Sequence, residues 1–114
     1  MKRIINGLTY NIETSKLLGR SEWHRDDDSF ENAEIDFEEE LFQTKGGAFF
    51  KVIWETKRFW NESERENKER IRVNFVPMSR DQAQKWMLEG DTEVLDNPFG
   101  DPPEATAENT AAVQ

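Results

Sequence analysis

Cysteine is absent from this chain, which removes disulfides, thiolate metal sites and cysteine nucleophiles together and suits a reducing compartment. Histidine occurs once, as His24, so a zinc site lacks its usual ligand set. Flanked by Trp23 and Arg25, His24 reads as a strand or loop residue, and no nucleophile is identified that would make it part of a triad. Long apolar runs are missing as well. The opening Met1-Lys2-Arg3-Ile4-Ile5 is broken by Asn6-Gly7 after two apolar residues, short of the roughly 7–15 of a secretory segment. Nothing approaches the roughly 20 apolar residues of a membrane-spanning helix. A soluble, cytoplasmic protein without a membrane partner is expected. There is no phosphate-cradling loop either, because Lys45-Gly46-Gly47 has the composition of a turn.

Acid is what the chain has in excess. Of 114 residues, 24 are Asp or Glu and 15 are Lys or Arg, for a formal charge of −9. The segment 26–40 holds nine of those acids (Asp26, Asp27, Asp28, Glu31, Glu34, Asp36, Glu38, Glu39 and Glu40) and no base. The 24 acids less these nine leave 15, equal to the 15 bases, so the whole net charge resides there. Charge so concentrated sets up a directed field that attracts basic grooves and repels nucleic acid.

Two readings of the acidic segment follow. In one it is a solvated loop with a strand edge whose charge discourages aggregation. In the other it imitates a nucleic-acid backbone. Alternate residues on a strand face lie about 6.6–6.8 Å apart, so Glu34, Asp36, Glu38 and Glu40 would form a row of carboxylates for a partner's Lys and Arg. A calcium loop of EF-hand type does not fit, since Phe30 falls on a ligand position and Glu31 where glycine is required. No metal or other cofactor is expected, and no pair of carboxylates stands out as catalytic. Trp54, Phe59 and Trp60 near Lys57 and Arg58 have the composition of a nucleic-acid contact. The net charge argues against direct nucleic-acid binding. Val52 and Trp54 are assigned to the core, with Phe59 and Trp60 as apolar anchors for a protein partner.

Local patterns predict mainly strands. Asn6-Gly7 between Ile4-Ile5 and Leu8-Thr9-Tyr10 signals a tight hairpin. Lys16–Arg25 reads as a third strand with Gly19 as a bulge or close-packing point. A strand from about Phe37 to Gln43 precedes the Thr44-Lys45-Gly46-Gly47 turn and a return strand to Phe59, with a helix as the alternative for residues 30–36. Residues 61–70 have no apolar member and read as a solvated loop or long hairpin tip. Ile71, Val73 and Phe75 alternate with polar residues, marking a strand ended by Pro77. Ser79 with Gln82 three residues later opens a helix whose stripe is Ala83, Trp86 and Met87, stopped near Gly90. The expected fold is α+β: an antiparallel sheet of five or six strands with one C-terminal helix packed on it. Residues 1–100 form one small domain, and 101–114 a disordered acidic tail.

Three segments also carry a resemblance. They are Met1–Asn11 with Glu13-Thr14, Leu41-Phe42-Gln43-Thr44-Lys45-Gly46-Gly47-Ala48-Phe49-Phe50, and Val76-Pro77-Met78-Ser79 followed by Ala83, Trp86 and Glu89. In this order they resemble a largely uncharacterised group of short proteins from bacteria, their phages and mobile elements, over roughly residues 1–90. Some proteins of that setting are anti-CRISPR inhibitors. The resemblance implies the hairpin–strand–hairpin–helix order and a mobile-element origin, and transfers no catalytic residue. The expectation is a non-enzymatic inhibitor that occupies the basic groove of a nucleic-acid-handling machine such as a CRISPR–Cas effector. The alternative is an accessory structural or assembly module, compatible with a homodimer through an exposed strand, whose acids serve solubility.

Overall fold

The computed structural model describes residues 1–26, 33–60, 66–89 and 91–100, apart from the side chains of Asp26 and Trp60. The Asn6-Gly7 signal is realised: both residues take positive φ, 51° and 79°, and join β1 (Lys2–Ile5) to β2 (Leu8–Asn11). A 3-10 turn at Ile12–Thr14 leads into β3 (Lys16–Asp26), followed by β4 (Ala33–Gln43), β5 (Phe49–Trp60) and β6 (Glu66–Met78). The single helix α1 (Arg80–Met87) comes next, then a two-residue strand β7 (Glu93–Val94).

The five-stranded sheet runs β6-β5-β4-β3-β7 with every pair antiparallel, and β1-β2 forms a separate two-stranded sheet. This is the α+β arrangement expected. The acid-bearing β4 is its middle strand, with a neighbour on each side. It starts at Ala33 rather than Phe37, so Ala33 to Asp36 extend the strand and the helical alternative fails there. The reason is periodicity: Ala33, Ile35, Phe37 and Leu41 are buried, while Glu34, Asp36, Glu38 and Glu40 take the other face.

Two more boundaries differ. β6 already includes Glu66 to Arg70, half of the charged segment that reads as a solvated loop or long hairpin tip, and residues 61–65 lie outside the described residues. Pro77 does not end β6, because an edge strand tolerates a missing N–H on its open side. The proposed tail, 101–114, and the Gly90 stop also lie outside the described residues. The capping box is present: Ser79 Oγ accepts from the Gln82 backbone at 3.1 Å, and Gln82 Oε1 accepts from the Ser79 N–H at 2.9 Å.

Each face of the sheet carries its own core. On one, α1 presses Ala83, Trp86 and Met87 against Leu18, Leu41 and Phe49. Gly19 permits that approach, since a Cβ there would stand 3.0 Å from the Glu93 carbonyl oxygen and 3.0 Å from Met87 Sδ. Here too β3 shifts register, between Leu17 and Gly19. On the other face, the β1-β2 hairpin sets Tyr10 over Phe42, Phe50, Val52 and Phe75. Both cores lie toward one end of the strands. From Leu41 to Ala33, β4 continues for eight residues, about 26 Å at 3.3 Å per residue. The candidate site is on this extension.

Candidate protein-binding face

Strand register assigns every side chain on the extension to a face. The hairpin side carries rungs of cross-strand neighbours: Arg20, Glu40 and Val52; Glu22, Glu38 and Trp54; His24, Asp36 and Thr56; Glu34 and Arg58. The expected row Glu34, Asp36, Glu38 and Glu40 therefore exists as one column of side chains down the centre of this face. A concavity of about 760 Å³ opens there, lined among others by Glu22, His24, Glu38, Trp54, Arg58 and Arg70.

The column is electrostatically uneven. Arg58 reaches across from β5, donating from Nε to Asp36 Oδ2 at 3.0 Å and from Nη2 to Asp36 Oδ1 at 3.2 Å, and it also pairs with Glu34. Glu40 accepts from Trp54 Nε1 at 2.6 Å, and the Arg70 guanidinium lies 4.6 Å from a Trp54 ring centroid. Glu38 and the facing Glu22 have no hydrogen-bond or ion-pair partner among the described residues. Burial raises the Glu38 pKa above the ordinary carboxylate value, and the Glu40 and Glu22 charges add to it against partial relief from Arg20 and Arg70.

That upward shift fixes a sign. The folded protein holds the Glu38 proton more tightly than the unfolded chain, so ionised Glu38 opposes folding at neutral pH, and the penalty fades as pH falls through the folded value. Glu38→Gln is expected to stabilise the protein at neutral pH by a few tenths of a kcal/mol, about the size of one like-charge cross-strand pair. In urea titrations the difference from the unsubstituted protein should vanish in acid, below the unfolded pKa. A destabilised Gln variant at neutral pH would refute the assignment.

Glu39 does not belong to the column. It points to the helix side, where its Oε1 lies 2.8 Å from Lys51 Nζ, and it accepts from Trp23 Nε1 at 3.0 Å and Trp86 Nε1 at 3.3 Å. Phe59 is half-buried on that same helix side, opposite Ala33, and so is not adjacent to the carboxylate column. Of the other candidates, Asp27, Asp28 and Glu31 lie outside the described residues, as do the side chains of Asp26 and Trp60. His24 is exposed and faces Asp36 across the β3-β4 ladder.

Glu22, which composition did not single out, and Arg58, grouped in the sequence with Trp54 and Phe59, complete the face. Glu22 joins the acids from β3, and Arg58 ties down two of them. Only the strand register brings these residues together. Among the described residues, no group of three or more His, Cys, Asp or Glu is arranged to hold a metal ion, and no helix is long and apolar enough to cross a membrane. The described residues thus form a small α+β fold with an acidic column on the sheet extension. Comparison with protein-family models, with curated proteins and with solved structures yields no match.

Proposed function

We propose that the protein is a non-enzymatic binding module whose acidic sheet face occupies a basic, nucleic-acid-binding groove on another protein. The observation that carries this is the Glu22–Glu38 pair. Two carboxylates face each other across adjacent strands with no partner among the described residues, beside Glu40 and Asp36 in one column. A lysine or arginine from a partner supplies the missing counter-charge and removes the repulsion, so binding gains what folding forgoes. The resemblance to mobile-element proteins points to a bacterial nucleic-acid-handling complex, a CRISPR–Cas effector being the named candidate, and to inhibition as the outcome. On the same basis the protein acts in the host cytoplasm.

The test is capture from a bacterial lysate with the immobilised protein and its Glu22→Gln/Glu38→Gln variant. Recovery of a nucleic-acid-binding complex is expected, with loss at high salt and displacement by added nucleic acid. The double variant should bind it roughly tenfold or more weakly, since close charge pairs at interfaces are worth about 1.5 kcal/mol or more. Equal recovery by both versions, or recovery that salt does not change, counts against the proposal. A second reading, an accessory structural module with acids for solubility, is favoured by one observation. Glu34, Asp36 and Glu39 are engaged by Arg58 and Lys51 within the fold and are not wholly free for a partner.

A further inference from the structure

The two edges of the five-stranded sheet differ. An incoming strand at β6 would meet the register shift opposite Glu55 and Thr56, the missing N–H of Pro77, and the cations Lys68, Arg70 and Arg72. The outer half of β3 carries neither bulge nor proline. β7 pairs with it only at Gly19 and Arg20. Among the described residues, no strand pairs with its outer side from Glu22 to Asp26, a length of about 13 Å. The contact with β7 also sets which backbone groups face outward. The Leu18 carbonyl accepts from the Leu95 N–H at 2.9 Å. Alternation then turns the N–H and C=O of Arg20 toward β7 and those of Glu22 and His24 to the open side. The side chains of Glu22, Trp23, His24 and Arg25 are all exposed, Trp23 by 45% even though its ring stacks on Phe37.

Both sides of this edge are acidic. On the hairpin side stand Glu22 and Glu38, in the concavity already described. On the helix side a second cavity of about 470 Å³ is lined by Trp23, Trp86, Glu89 and Asp91 among others, and Glu22 and Trp23 border both cavities. Glu89 and Asp91 are exposed, and their side chains have no hydrogen-bond or ion-pair partner among the described residues. They follow the C-terminal end of α1, whose partial negative charge adds to theirs. An extended segment laid along β3 sends alternate side chains to these two sides. The residue opposite Glu22 points toward Glu22 and Glu38. The next, opposite Trp23, lies over the exposed indole and into the cavity that Glu89 and Asp91 line. Both positions favour a cation, and arginine suits the second because its guanidinium stacks on an aromatic face. The position opposite His24 faces Asp36, which Arg58 already holds, and the one opposite Arg25 disfavours a cation.

We propose that the open edge of β3 takes up an extended segment with two consecutive basic residues as an additional strand. The main chain of that segment pairs with Glu22 and His24, and its two cations divide between the two cavities. Backbone pairing supplies the hold, and the acids on either side supply the selection. The proposal rests on the reading that the acidic face meets a basic protein, and it names the element that protein presents: an extended basic segment beside its groove.

The test titrates the full chain with a short peptide, blocked at both ends, that carries two consecutive arginines between valine and serine flanks. Binding with a Kd below about 1 mM, weakened by salt, is expected. Two further peptides carry a methyl group on the backbone nitrogen of one arginine or the other. Neighbouring N–H groups of a strand point to opposite sides. One methylation should therefore weaken binding roughly tenfold or more, and the other should change it by no more than a few-fold. With the unmethylated peptide bound, amide exchange should slow at Glu22 and His24 and stay as it was at Trp23 and Arg25, whose N–H groups already face β4. Glu22→Gln/Glu38→Gln and Glu89→Gln/Asp91→Asn should each weaken the peptide roughly tenfold. No binding at about 1 mM, equal effects of the two methylations, or unchanged exchange at Glu22 and His24 would each overturn the proposal. Lysate capture that succeeds while the peptide fails would overturn this proposal alone. Peptide binding as expected with no captured complex would support the edge site and overturn the broader reading.

Discussion

Phe50→Ala is expected to lower stability by about 3–5 kcal/mol, the usual cost of removing a fully buried phenylalanine. Phe50 is wholly inaccessible and is the hub of an aromatic cluster, with the Tyr10, Phe42 and Phe75 rings 5.2, 5.3 and 5.7 Å from its own. Tyr10 is the only buried residue of β1 and β2, and with the partly buried Ile5 it packs the two-stranded hairpin onto the main sheet through this cluster. A two-stranded sheet is marginal by itself in water. The substitution should therefore do more than lower the urea midpoint. Amide exchange in residues 2–11 should accelerate more than exchange in β4 and β5, because the hairpin loses its anchor before the sheet loses its ladder. Phe50→Leu, which keeps most of the volume, should cost markedly less. A uniform change in exchange across the chain would show that the hairpin and sheet form one cooperative unit.

The hairpin and the helix were legible in the sequence because their signals are local. Asn6-Gly7 dictates its own turn, and Ser79 with Gln82 forms a cap within four residues. The alternation in β4 was legible too, and it separates Ile35, Phe37 and Leu41 from Glu34, Asp36, Glu38 and Glu40. What was not legible depended on register between strands. Nothing near Asp36 in sequence announces Arg58, 22 positions away, which is placed opposite Glu34 by the β4-β5 turn. Phe59 falls on the helix side for the same reason. Strand β7 is two residues long and exists because the chain after α1 returns to β3, where the Leu95 N–H donates to the Leu18 carbonyl. Such a segment has no periodicity to read. Glu39 is a different case, since the alternation already placed it on the apolar side. Counting acids in the run hid that, and the lone carboxylate of wrong parity was the one signal of a built-in polar contact.

That contact supports the second large effect. Glu39→Ala is expected to cost about 3 kcal/mol, the low end for breaking a buried ion pair from one side. Glu39 and Lys51 side chains are only 15% and 18% exposed, and Glu39 is the acceptor for two indole N–H groups as well. Removing the carboxylate leaves the Lys51 ammonium without its counter-charge and both indoles without an acceptor, under the edge of α1. Burial by itself would raise the Glu39 pKa, but the hydrogen bond from Lys51, those from Trp23 and Trp86, and the Lys51 charge hold it below the ordinary carboxylate value. A lowered folded pKa means stability that is complete above the unfolded pKa and lost as pH falls through the folded one. Glu39→Gln keeps an acceptor for the indoles and loses only the charge, so its deficit at neutral pH should be smaller than that of Glu39→Ala and should close in acid. Glu38→Gln should behave in the opposite sense over the same range: a gain at neutral pH that disappears in acid. Two adjacent glutamates on opposite faces of one strand thus carry opposite pH slopes, and urea titrations of the two Gln variants between neutral pH and acid would expose both. If both variants shifted in the same direction, the division of the acidic segment into a structural residue and a partner-facing column would be wrong. If they diverge as expected, the change that removes charge from the proposed binding face is the one that folding tolerates. Loss of partner binding in the Glu22→Gln/Glu38→Gln variant could then be attributed to the surface itself.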